Sequence, residues 1–155
     1  MASVSMQAAE ALYPTLSVFH AAQGHPLKSV CQVLDEGSLQ KLILDFGAVL
    51  LTVTANEDDD TVDLAAVSAD QSTLKLDGQD ISSLEPWTEF IGRSFGWGWL
   101  IMNQQGYIDG VLLSFSGLDP QLLMNVIASS IKISQIARLS PQRLSVPLAP
   151  ASDDT

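Results

Sequence analysis

One cysteine, two histidines and seven Lys and Arg are few across 155 residues, and each scarcity excludes something. Cys31 alone cannot form an intramolecular disulfide. Within Ser-Val-Cys-Gln-Val it reads as a small buried thiol. His20 and His25 are flanked by Gly24 and Pro26, a spacing that suits neither a helical zinc pair nor a Cys/His site, so no metal is expected. The chain has no Gly-rich phosphate loop, no G-x-S-x-G elbow and no H-E-x-x-H. No nucleophile with a base and an orienting group can be assembled, so neither catalytic residues nor a cofactor are expected. No basic residue precedes Lys28, which argues against a secretory leader. The longest apolar run, Phe46 to Ala55, has the length of a strand, well short of the roughly 18 residues of a membrane span. A cytoplasmic location is the expectation.

Acids dominate what charge there is. Eighteen Asp and Glu against seven Lys and Arg give a net charge of −11, a field that repels nucleic-acid phosphates and anionic membranes alike. Apolar residues make up 46% of the chain and charged ones 16%, enough to build one core in a domain of ordinary size. The charge is concentrated. Residues 56–89 hold ten acids against Lys75 alone, a local charge of −9, while residues 90–155 are neutral in sum. Glu57, Asp58, Asp59, Asp60 and Asp63 form the densest run. As a mobile, solvated loop they would keep the domain soluble and have no cause for raised pKa values. As a docking element they would attract a basic protein partner. A calcium loop opening at Asp58 fails, because its sixth position is Asp63 rather than Gly and its twelfth is Ala69 rather than Glu.

Apolar periodicity divides the chain into an N-terminal helical arm over 1–24, a globular domain over 25–138 and a Pro-containing tail over 139–155, expected to be disordered. Ser29 to Leu34, Leu39 to Phe46, Val49 to Thr54 and Thr61 to Val67 alternate between turn signals and predict four antiparallel strands in a meander. Residues 68–82 read as loop. Pro86 early, Gly92 late and Trp87, Phe90 and Ile91 at helical spacing predict a short helix over 83–92. Gly96 to Asn103 and Tyr107 to Phe115 predict a hairpin, and about Leu123 to Ala137 a last strand or strand pair. The expected fold is α+β: a curved antiparallel sheet of about seven strands, one short helix packed on it and the N-terminal helical arm.

Side chains able to recognise a ligand crowd between Arg93 and Asp109. Six of the ten glycines fall between Gly92 and Gly117, and Gly98 between Trp97 and Trp99 would leave a notch under two indoles on one face. Arg93, Trp97, Trp99, Asn103, Gln105, Tyr107 and Asp109 are therefore the candidate binding surface. The plainer reading makes the tryptophans core anchors, Gln105-Gly106 a hairpin turn and Asp109 a partner for nearby amides.

In Pro86-Trp87, Ile91-Gly92, Trp97, Trp99, Asn103 to Gly110 and Ile127 to Lys132, the sequence resembles a family of small bacterial proteins, some with a cyanobacterial flavour, known only as a domain of unknown function. The likeness runs from about Gly24 to Ala137 and implies no activity, so it assigns no residue a role. The residues favour a non-enzymatic protein-binding module that uses the acidic loop, the Trp-rich sheet face or both. A small-molecule groove near Trp97, Trp99, Tyr107 and Asp109 is the alternative, and a homodimer formed through a sheet edge is the third reading.

Overall fold

The computed structural model describes residues 14–71 and 73–137. The tail over 139–155 and the first part of the N-terminal arm lie outside the described residues. Within them are a helix, α1, over residues 14–22, and nine strands: β1 (Ser29–Asp35), β2 (Ser38–Asp45), β3 (Val49–Ala55), β4 (Val62–Ser68), β5 (Gln79–Asp80), β6 (Phe95–Met102), β7 (Ile108–Phe115), β8 (Leu122–Ile127) and β9 (Ser130–Gln135). The architecture is α+β and mostly antiparallel. The single sheet of about seven strands is corrected to two sheets, ordered β4-β3-β2-β1-β5 and β6-β7-β8-β9. The meander over β1 to β4 forms as its alternation predicts. The chain then leaves that sheet through two 3₁₀ turns, Ala69–Gln71 and Leu74–Asp77, in the stretch read as loop.

Two sheets form because each has one apolar face that only the other can cover. Val30, Leu42, Leu44, Leu51 and Val53 of the first sheet share a core with Val111, Leu113, Leu122, Met124, Val126 and Ile131 of the second. Period-two alternation puts those residues on inward faces. β3 is apolar on its other face too: Leu50, with Cys31 and Ile43, forms a smaller cluster against which Ala69 and Leu74 pack. The 3₁₀ turns after β4 thus cover the reverse side of the first sheet.

The helix expected over 83–92 is a single 3₁₀ turn, Trp87–Glu89. Its apolar side chains are used as expected, with Trp87 and Phe90 buried. Gly92 adopts a φ of 85°, and its N–H donates to the Leu27 carbonyl, which turns the chain out of any helical path. Residues 24–27 run beside residues 92–95: Gly24 N–H donates to Phe95 O at 2.9 Å and Phe95 N–H to His25 O at 2.9 Å. α1 is thereby anchored on the second sheet. Phe19 and Ala22 of α1 are fully buried, and Phe19 stacks on Phe95 with ring centroids 6.2 Å apart.

Gly98 faces α1, so the notch expected between the tryptophans is filled on the opposite side of β6. A Cβ at Gly98 would lie 2.2 Å from Phe19 Cε1. Gly98→Ala should destabilise the fold by about 1–3 kcal/mol by overpacking. Much of that loss should vanish in a Phe19→Ala background, because the two changes share one contact. Urea unfolding of the two single variants and the double variant measures the coupling; strict additivity would contradict this packing.

Candidate functional site

The acidic loop between β3 and β4 is held at several points. Asn56 Nδ2 donates to Asp63 Oδ2 at 3.0 Å and to Thr61 Oγ1 at 3.3 Å. Asp59 Oδ1 accepts from the Thr61 N–H at 3.1 Å and from its hydroxyl at 2.6 Å, a local Asx-type closure. Asp60 then reaches the β8–β9 hairpin, where its Oδ1 accepts the Ser129 N–H at 2.7 Å. Ser129 Oγ donates to the Glu57 carbonyl at 3.1 Å, and Gln40 Nε2 on β2 donates to the Ser129 carbonyl at 2.6 Å. The loop expected to be mobile is therefore pinned to the second sheet.

The anchoring hairpin is an unusual one. Ala128 and Ser129 have φ values of 51° and 62°, and Asp60 has 55°. A two-residue hairpin turn of type I′ needs positive φ at both central positions, which favours Asn-Gly rather than Ala-Ser. The contacts from Asp60, Glu57 and Gln40 to Ser129 oppose that backbone cost. Among the described residues the side chains of Glu57 and Asp58 have no partner, so their charges stand free on a braced turn.

The second candidate surface divides among several roles. Trp97 is half-buried against α1, its ring centroid 6.0 Å from Phe19 and 4.8 Å from His20. Trp99 is half-buried on the outer face, opposite Leu112, which in turn lies opposite Leu123. Asn103 organises the turn: its Oδ1 accepts from the Gln105 N–H at 2.9 Å and the Tyr107 N–H at 3.1 Å. Gly106 closes that turn with a φ of 86°. Gln105 and Tyr107 are exposed at the tip, and Asp109 is the extra residue where the β6–β7 register shifts. Arg93 is exposed, its guanidinium 5.8 Å from the Phe90 ring centroid. An open groove of about 460 Å³ borders the Trp99 row, lined by Leu112, Asp119, Pro120, Gln121 and Ile136. It shares Leu112 with that row but none of the residues singled out from sequence.

A third cluster escaped sequence reading. Lys75 forms an ion pair with Asp45 Oδ2, while Asp45 Oδ1 accepts the Gly47 N–H at 2.7 Å. Burial works to raise the Asp45 carboxyl, but Lys75, the Gly47 amide and Ser29 outweigh it and hold the group below the ordinary carboxylate range. Burial, followed by Asp80, pushes the nearby Cys31 thiol up, which lowers its thiolate fraction and its reactivity. Asp45 and Lys75 are 30 residues apart, and no local motif joins them.

The chain belongs to DUF6334, a family of unknown function, whose model matches residues 9–140. The match extends beyond both limits of the resemblance seen in the sequence. No curated protein and no solved structure matches the chain. Among the described residues of this DUF6334 chain, no group of three or more His, Cys, Asp and Glu could hold a metal ion, and no helix is long and apolar enough to cross a membrane.

Asp60→Ala removes the acceptor for the Ser129 N–H and should cost about 0.5–1.5 kcal/mol of stability. Asp60→Asn keeps an acceptor oxygen and should retain most of that stability. Equal melting temperatures for wild type and Asp60→Ala would show that the loop is not held through this bond.

Proposed function

We propose that this DUF6334 chain is a non-enzymatic binding module for a basic protein partner and that the loop over residues 56–60 is its docking element. The observation that carries the reading is the bracing itself: Glu57 and Asp58 present free carboxylates on a turn tied to Thr61, Asp63 and Ser129. No Lys or Arg occurs in the sequence between Lys41 and Lys75. A preorganised patch of one sign speeds encounter with an opposite charge and loses little entropy on binding.

The open groove beside Leu112 supports a second reading, a small-molecule site on the Trp99 face. Ligand-dependent indole fluorescence would bring that reading forward.

The variant Glu57→Gln/Asp58→Asn removes charge without touching the bracing bonds. Capture of binding proteins from lysate on wild type and on this variant should yield a basic protein that salt elutes. Its affinity for the variant should fall about three- to tenfold at low ionic strength. Equal affinity of that protein for both chains would remove the acidic loop from its recognition.

A further inference from the structure

Of the strands at the sheet margins, β4 is a long one whose outer side no described residue pairs with. β5 has two residues, one of them Asp80. The start of β6 is bonded to residues 24–26. β9 carries an exposed Lys132 and crosses β2 and β3. Short edges, inward cover and lysine are the usual means of preventing edge-to-edge pairing. β4 is seven residues long, its one charged residue is Asp63, Val-Asp-Leu-Ala-Ala-Val-Ser contains no Lys, Arg, Pro or Gly, and its pairing with β3 shows no register shift.

The orientation of its backbone follows from the flanking bonds. Asn56 N–H donates to Thr61 O and Ala69 N–H to Ala48 O, so in the register between them Asp63, Ala65 and Val67 are the residues that exchange bonds with β3. The N–H and C=O groups of Val62, Leu64, Ala66 and Ser68 therefore face outward. Among the described residues β4 pairs with β3 alone, and Asp63, Ala65, Ala66 and Ser68 are exposed.

We infer that this open edge accepts an extended, basic segment of a partner protein, which adds to the first sheet as a further antiparallel or parallel strand. The inference rests on the reading of the acidic loop as the docking element and names how the partner engages. Charge complementarity selects the occupant. Glu57, Asp58, Asp59 and Asp60 precede the strand, Asp63 lies on it and Asp70 follows it, with no basic residue among them. A second copy pairing edge to edge would bring two such acidic sets together, whereas a strand with alternating Lys would meet them with opposite charge. Main-chain bonds to an open edge supply affinity, and side chains at alternate positions supply selection.

The probe is a fluorescein-labelled Lys-Val-Lys-Val-Lys-Val-Lys peptide titrated into the full chain by anisotropy. The decisive variant is Ala66→Pro, which removes one outward N–H and leaves the bonds to β3 in place. Wild type should bind the peptide, and Ala66→Pro, shown folded by circular dichroism, should bind it about tenfold or more weakly. N-methylation of alternate residues in the peptide should weaken binding to wild type similarly, a test independent of any variant. Unchanged affinity in both tests, alongside weaker binding to Glu57→Gln/Asp58→Asn, would overturn strand addition and leave the acidic docking reading intact. No binding to wild type would overturn the strand inference, while the lysate partner could still bear out the docking reading. A wild-type dimer in sedimentation that Ala66→Pro dissociates would make the occupant a second copy and overturn the inference.

Discussion

The structure depends on two antiparallel sheets that must bury their inner faces in the same core. Neither sheet could be stable in water alone, because Leu42, Leu44, Leu51 and Val53 on one and Val111, Leu113, Leu122 and Met124 on the other would lie exposed. Facing them together sets where the rest of the chain can go. The junction of residues 24–27 with 92–95 ties the start of one sheet to the start of the other. α1 closes the side of the core along β6 by setting Phe19 against Gly98. β9 crosses β2 and β3, which brings the hairpin at Ala128 and Ser129 to the loop after β3.

That last consequence links packing to the proposed docking role. An acidic loop on its own only makes a surface hydrophilic. Held by a hairpin from the other sheet, it presents two free carboxylates in a set position beside an open strand edge. The other candidate surface is less available for binding than its composition implies. Trp97 serves α1, Asn103 serves its turn, and Trp99 remains with Leu112 and Leu123 as a half-buried apolar row.

Much of this order was legible in the sequence where the signal is local. Alternation in Ser29 to Val67 marks four strands, and the turn at Gln104-Gln105-Gly106 marks the β6–β7 hairpin. Where several conformations satisfy one pattern, the signal fails. Trp87 and Phe90 fit one 3₁₀ turn as well as a longer helix, and their spacing does not choose between them. Division into two sheets is invisible locally, since nothing in residues 69–94 states which strands will pair. Asp60 and Ser129 are 69 residues apart, so the contact that turns a soluble-looking loop into a braced one could not be read from either segment. Gly98 looked like a gap for a ligand because Phe19, far away in sequence, is what fills it.

Residue-resolved amide hydrogen exchange on the free chain tests the account most directly. The amides of Asp63, Ala65 and Val67 should exchange slowly, those of Leu64, Ala66 and Ser68 quickly, and that of Ser129 slowly for a hairpin turn. Equal protection along β4, or an unprotected Ser129, would mean that the edge is covered or the loop unbraced, and would contradict the account.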